Sequence, residues 1–257
     1  MPTRSDPWPA GTPCWVDLGA PDVVAASAFY GAVMGWSFFG TGGKFGRYFM
    51  AQVNGHAAAV IGPKQDQNQP TAWTVYLASD DTDATAAKVT ANGGTLLAEP
   101  SDVPGSGRMT VATDPTGAVF GVWQAGGAIG AEIYNEPGGL AWTDVRSTDP
   151  GTARAFYTAV FGYQYQPMPG APDHYMTFHL DGAPLGGIGG MMDAAAGRPS
   201  HWVAYFSVAD ADAAAATATG RGGVLQAPAI NTPYGRMAFL TDPAGAVFAL
   251  AGPPPTA

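Results

Sequence analysis

One stretch of this chain is written twice. WVDLGAPDVVAASAFYGAVMGW, from Trp15 to Trp36, returns 127 positions later as WTDVRSTDPGTARAFYTAVFGY, from Trp142 to Tyr163. Later landmarks repeat at nearly the same offset: TAWTVYLASDDTDATAAKVTANGG matches HWVAYFSVADADAAAATATGRGG, and GRMTVATDPTGAVFGVW matches GRMAFLTDPAGAVFAL. Such a duplication constrains the fold more than composition does, because the chain must be two copies of one unit and every position has an internal twin. The 257 residues divide into a first domain over 1–125, a linker over 126–139, a second domain over 140–252 and a tail over 253–257. Each domain is of ordinary size for a single core.

Each half divides again. A strand from Trp15 leads into a helix opened by Asp22, and a second strand and helix begin at Trp73 and Asp81, which predicts four modules at about 12–64, 70–125, 140–192 and 200–252. Val23, Ala26, Phe29, Tyr30 and Val33 fall at helical spacing before a stop at Gly35. Their counterparts Ala153, Phe156, Tyr157 and Val160 follow Asp149 and end at Gly162. Asp114–Gly117 and Asp242–Gly245, both Asp-Pro-x-Gly, read as turns between paired strands, with Pro presetting one angle and Gly accepting the other.

Charged residues make up only 12% of the chain, the net charge is −9, and no cluster of Lys and Arg occurs. That balance argues against nucleic acid and anionic membranes as partners. The single cysteine, Cys14, cannot form an internal disulfide and is flanked by no CxxC. With no apolar leader and no run of about 18 apolar residues, the expected location is cytoplasmic. The expected state is a monomer or homodimer.

The Asp-(x)7-Tyr helices, W-x-D strands, Gly-Gly terminators and DPxG hairpins together resemble the glyoxalase/bleomycin resistance/dioxygenase family, the vicinal oxygen chelate superfamily, over nearly all of both halves. The two-domain arrangement is similar to tandem members labelled hydroxylases or mycobacterial antigens. The resemblance implies an α+β fold of four βαβββ modules, with an open sheet cleft in each domain and the helices behind. It also implies that metal-using members draw ligands from the first and last strands of the modules, here Trp15, Thr74 and Gly121, then Trp142, Val203 and Ala249. None of these can bind a divalent metal through its side chain. The closing strands AAAVIG and PLGGIGG add no carboxylate or imidazole, so the expectation is a cleft without metal or cofactor.

Strand alternation sorts the faces. If Val16 and Leu18 pack against helices, Trp15 and Asp17 point into the first cleft, and Trp142, Asp144 and Arg146 into the second. The same rule adds Tyr48, Met50, Gln52, Thr74 and Tyr76 to the first, with Trp123 near its mouth, and Tyr175, Thr177, His179, Val203 and Tyr205 to the second. Aromatic walls around one carboxylate suit a planar, largely apolar organic ligand, each stacked ring contributing about 0.5–1.5 kcal/mol beyond its buried area. The competing reading is that Trp15 and Trp142 fill the space a metal site would occupy.

Asp17 and Asp144 are the candidate bases, because burial disfavours a carboxylate's charged form and makes it a better proton acceptor; Tyr48 and Tyr175 are the complementary donors. The alternative is that each Asp only accepts structural hydrogen bonds. His179 is a candidate lone proton shuttle, and His56, His174 and His201 form no ligand constellation with it. Gly40–Gly46 and Pro167–Pro172 are candidate lids, and Pro184–Gly190 reads as a mobile hairpin rather than a phosphate loop. Because Leu18-Gly19 becomes Val145-Arg146 and Gln52 becomes His179, the second cleft is the more cationic and the expected home of an anionic ligand and of any catalysis. Two functions follow: sequestration of a planar natural product, or its metal-independent transformation by an Asp base through proton abstraction, cyclisation or a hydroxylation-type step. Metal-dependent lyase or oxygenase chemistry of the glyoxalase or dioxygenase type is the alternative.

Overall fold

The computed structural model describes residues 3–41, 48–191 and 197–253. The first half runs β1 (Pro13–Ala20), α1 (Val23–Met34), β2 (Ser37–Thr41), β3 (Tyr48–Val53), β4 (His56–Pro63), β5 (Ala72–Ala78), α2 (Thr82–Ala91), β6 (Thr95–Val103), β7 (Gly107–Thr113) and β8 (Val119–Ala125). The second runs β9 (Leu140–Arg146), α3 (Pro150–Phe161), β10 (Gln164–Pro167), β11 (Met176–His179), β12 (Pro184–Gly189), β13 (His201–Ser207), α4 (Ala211–Gly220), β14 (Val224–Leu225), β15 (Ile230–Thr232), β16 (Gly235–Thr241) and β17 (Val247–Gly252). This is an α+β chain of four βαβββ modules, the last with its second strand broken in two. The segment read as a mobile hairpin, Pro184–Gly190, is almost wholly β12.

Local chemistry explains the element boundaries. Asp22, Asp81, Asp149 and Asp210 each accept a hydrogen bond from the N–H three residues on, at 2.9–3.0 Å. Such caps contribute about 1 kcal/mol apiece. Gly35 and Gly162 end α1 and α3 with φ of 72° and 80°, the left-handed region that glycine enters without a Cβ penalty. In the DPxG turns, Asp114 Oδ1 accepts from the N–H groups of Thr116 and Ala118, and Asp242 Oδ1 from those of Ala244 and Ala246.

Each half forms one open sheet. The strand order is β2-β3-β4-β1-β5-β8-β7-β6 in the first and β10-β11-β12-β9-β13-β17-β16-β14 in the second, with β15 on β16. At the centre of the first, β1 lies antiparallel to β5 and parallel to β4. The second repeats this with β9, β13 and β12.

The helical faces of the two halves are packed on each other. Helix α1 lies against α4, and α2 against α3. Phe29 and Tyr30 meet Phe248 edge to face, Trp36 and Trp73 meet Phe206, and Phe120 is met by Phe156, Tyr157 and Phe161. One buried cluster therefore runs through both repeats. It is crossed by a relay in which Trp73 Nε1 donates to Tyr30 Oη (2.9 Å) and Tyr30 Oη to Asp242 Oδ2 (3.1 Å). In the other half Trp202 Nε1 donates to Tyr157 Oη (2.9 Å), which faces Asp114. The opposite faces of the sheets carry small clusters of their own.

The segment 126–139 is packed rather than loose: Ala131 and Ile133 are buried, and Ala131 N–H donates to Cys14 O (2.8 Å). The lid candidate at 40–46 lies mostly outside the described residues, as does nearly all of the tail. The other, Pro167–Pro172, holds a turn closed by Ala171 N–H on Met168 O (3.1 Å). Among the described residues no helix is long and apolar enough to cross a membrane.

A shared core predicts that both repeats unfold in one urea transition. Replacing Tyr30 by Phe leaves Trp73 Nε1 and Asp242 Oδ2 without this partner and should lower unfolding free energy by about 1–3 kcal/mol. Two separated transitions would show that the halves stand alone.

Candidate functional site

The second sheet holds a closed polar network. Asp144, at the middle of β9, is 1% exposed. Its Oδ1 accepts from Tyr175 Oη (2.6 Å) and Trp142 Nε1 (2.8 Å), and its Oδ2 from Tyr205 Oη (2.6 Å) and Arg146 Nη2 (2.6 Å). An ionised carboxylate has about four acceptor sites, and here four donors fill them. Tyr175 reaches Asp144 by lying across β12, which is possible because Gly187 has no side chain: a Cβ there would collide with Tyr175 Oη and Asp144 Oδ1. Burial opposes the Arg146 charge, but the Asp144 carboxylate and the Tyr205 hydroxyl outweigh it and hold the guanidinium protonated. Burial and then the Asp144 charge push the phenols of Tyr175 and Tyr205 upward, so both remain donors.

The first sheet has the same frame with its cation removed. Asp17 pairs across the strands with Thr74 and Val60, as Asp144 pairs with Val203 and Gly187. Tyr76 Oη donates to Asp17 Oδ2 (2.7 Å), but the position matching Arg146 is Gly19. Lys64, whose stem lies beside Gly19, sends its Nζ to Gln67 O (3.0 Å), and among the described residues no ion pair forms at Asp17. Asp17 keeps partial exposure. Desolvation raises its pKa, and hydrogen bonds from Tyr76 and Thr74 offset that only in part. Tyr76 is pushed well above its ordinary value by burial and by Asp17, and Tyr48 upward by the same two causes.

The remaining predicted residues separate into three groups. Trp15, Tyr76 and Trp123 lie together in one cluster on the first sheet, joined by Cys14 and by Trp8 from the N-terminal segment. Tyr48 lies across Gly62 as Tyr175 lies across Gly187, and its hydroxyl accepts from Gln65 Nε2 (2.9 Å). Met50 pairs with Val60 on the same stretch of sheet, whereas Gln52 turns its amide back to Gly55 O (3.2 Å) in the hairpin. On the second sheet Val203 and Tyr205 are buried with Ala249, against Trp142 and Phe239. His179 is engaged at both nitrogens, Nδ1 with Gly182 O (2.9 Å) and Nε2 with Thr177 Oγ1 (2.7 Å), which ties it to its own hairpin.

Sequence reasoning missed Trp8 and Phe239. Phe239 was accessible to the same alternation rule, because Ala238 and Leu240 face the core; Trp8 carries no such signal. A cavity of about 210 Å³ between Trp8, Trp123, Asp80 and Gln124 lies farther along β5 and β8 than Asp17.

Comparison with known proteins agrees with this architecture. Residues 14–122 and 139–250 match the model of the Glyoxalase/Bleomycin resistance protein/Dioxygenase superfamily. The chain belongs to this superfamily. It is 41% identical to CFP32 of Mycobacterium tuberculosis (strain CDC 1551 / Oshkosh), covering 99% of both chains. It is 37% identical to the anthracycline biosynthesis protein DauV of Streptomyces sp. (strain C5), covering 93% of this chain and 92% of that one. Among solved structures, the Mn(II)-bound glyoxalase from Novosphingobium aromaticivorans superposes with a TM-score of 0.67 at 20% identity, over 95% of this chain and 82% of that one.

The Mn(II)-bound glyoxalase of this fold holds a divalent ion, which needs several side-chain ligands converging on one point. Among the described residues no three His, Cys, Asp or Glu side chains gather. The first sheet offers one carboxylate with phenols and a hydroxyl, and the Asp144 carboxylate is already filled by four donors. These residues do not fit a divalent metal site.

The two carboxylates should respond oppositely to removal. D144N leaves the buried Arg146 without its counter-charge and should cost about 3–5 kcal/mol. Asp17 binds its proton more tightly folded than unfolded, so its contribution to stability falls as pH rises from the unfolded value, about 3.9, through the folded one. D17N should flatten that fall, making the variant the more stable relative to wild type at about pH 7 than at about pH 4 by urea unfolding. A D17N variant that loses stability at neutral pH would contradict the assignment.

Proposed function

We propose that the protein holds a flat, largely apolar organic molecule of the secondary-metabolite kind against its first sheet, and that Asp17 accepts a proton from it without a metal ion. The observation that carries this reading is the Asp17 environment. The residue is partly exposed while desolvation raises the proton affinity of its carboxylate, at a position where the second repeat pairs the matching carboxylate with Arg146. A base must be reachable and have proton affinity near its working pH. Asp17 is a partly exposed residue and its proton affinity is raised by desolvation, whereas Asp144 is enclosed and saturated.

The aromatic surroundings define the ligand class. Partly exposed Trp15 packs with the buried rings of Tyr76 and Trp123, and partly exposed Tyr48 lies across Gly62 on the same sheet, an aromatic surround that suits a fused-ring molecule. Two Streptomyces relatives, DauV and DnrV, are named for anthracycline biosynthesis, which supports a ligand of that kind. In the step proposed, an activated C–H or an acidic O–H of the ligand gives its proton to Asp17, the carboxylate becomes neutral, and the ligand keeps the electron pair. Tyr76 retains its own proton and continues to donate to Asp17, which holds the acceptor oxygen in place.

The test is deuterium exchange from solvent into a panel of anthracyclines and their ketone-bearing precursors, read by mass. Wild type should catalyse exchange with an acidic limb above the ordinary carboxylate value of about 3.9. D17N should lower the rate by about 10²- to 10⁴-fold while changing affinity only a few-fold. Saturable binding with no exchange and no change of mass would establish sequestration and remove Asp17 as a base.

A further inference from the structure

Arg146 uses only part of its hydrogen-bonding capacity. Its side chain is 7% exposed, and Nη2 donates to Asp144 Oδ2 (2.6 Å) and Tyr205 Oη (2.7 Å). Nη1 is buried with no hydrogen-bond partner. Unmade hydrogen bonds on a buried cation are among the costlier omissions in a folded protein. Asp144 engages the guanidinium through Nη2 alone, so the Nη1 arm has neither an acceptor nor an anionic partner of its own. None comes from the cross-strand neighbour, His201, whose Nδ1 faces Pro199 O (2.8 Å) and whose pKa is lowered by burial and by Arg198 and Arg146.

The surroundings of Arg146 suit a planar group. The rings of Tyr175 and Phe239 lie 6.0 and 5.9 Å from Arg146 Cζ. Phe239 is only half-buried, and its counterpart in the first repeat is the smaller Val111.

We propose that the second sheet carries a separate binding subsite in which Arg146 Nη1 takes an acidic oxygen (carboxylate, enolate or phenolate) of a flat aromatic molecule, with Phe239 yielding its place beside the guanidinium to the ligand ring. The subsite goes beyond the proton-accepting role of the first sheet and does not require Asp17. The two sheets then have opposite preferences. The first presents a carboxylate without a cation, and the second a cation whose second arm awaits an anion. Tyr205 and Asp144 fix the guanidinium plane through Nη2, so the orientation of Nη1 is set before the ligand arrives.

The probes are anthraquinone-2-carboxylate and the neutral anthraquinone-2-carboxamide, titrated into the full chain and followed by tryptophan fluorescence. Wild type should prefer the carboxylate by roughly 10- to 100-fold, the range a charge-assisted hydrogen bond supplies. R146Q should abolish the preference. R146K keeps the charge next to Asp144 and guards against a folding failure; its ammonium lacks the second planar arm, so most of the preference should go while near-UV circular dichroism stays native. Equal affinity for the two probes in wild type, the result expected if water alone satisfies Nη1, overturns the proposal. So does an undiminished preference in R146K and R146Q. A rise in carboxylate affinity in D17N would place the anion on the first sheet and overturn it as well. Loss of proton exchange in D17N reports on the first sheet alone, so the two readings fail separately.

Discussion

The packing of helix face on helix face between the repeats is the constraint from which the rest follows. Neither half closes its own apolar surface: Phe248 completes the pocket around Phe29 and Tyr30, and Phe120 sits among Phe156, Tyr157 and Phe161 of the other half. The Trp73–Tyr30–Asp242 relay adds direction to that burial, because its partners must meet within hydrogen-bond distance across 212 residues of chain. With one face of each sheet committed to the common core, the other faces lie outside it and can differ without disturbing it.

Divergence has acted on one electrostatic choice. Both sheets keep a carboxylate at the centre of the first strand and a tyrosine hydroxyl on it, Tyr76 in one and Tyr205 in the other. An arginine two residues after Asp144 turns the second carboxylate into part of a filled ion pair. Glycine at the matching place leaves Asp17 to meet desolvation with only neutral donors. A buried pair is weak evidence for stability but good evidence for fixed geometry, because its donors and acceptors fit only one arrangement. The same duplicated frame thus yields a rigid network on one side and a responsive group on the other.

Much of this was legible from residues. The repeat and its sub-repeat, the Asp caps and the DPxG turns are local signals, and each is found where spacing put it. Alternation placed Trp15, Asp17 and Tyr76 on one face, since period two survives any tertiary context that buries the other side. What escaped depends on contacts between distant elements. The second sheet was expected to be the reactive one because of its added positive charge, but that charge lies 2.6 Å from Asp144 and holds the carboxylate in an ion pair. PLGGIGG carries both a closing-strand and a mobile-hairpin reading; it is strand β12, and its glycines are small so that Tyr175 can cross it. His179 is a candidate shuttle only by its place on the strand, and its partners Thr177 and Gly182, which engage both nitrogens, are not legible from spacing.

The claim on which the functional account depends is that Asp17 carries a carboxylate without a neutralising cation, and so holds its proton longer than an ordinary aspartate. Carbon-13 NMR titration of the Asp17 side-chain carboxyl in the intact, ligand-free protein measures this directly. The midpoint should lie clearly above the ordinary value of about 3.9. A midpoint at or below that value would mean that a cation or additional donors stabilise the charged form, and the first sheet would lose its claim to be the proton-accepting site.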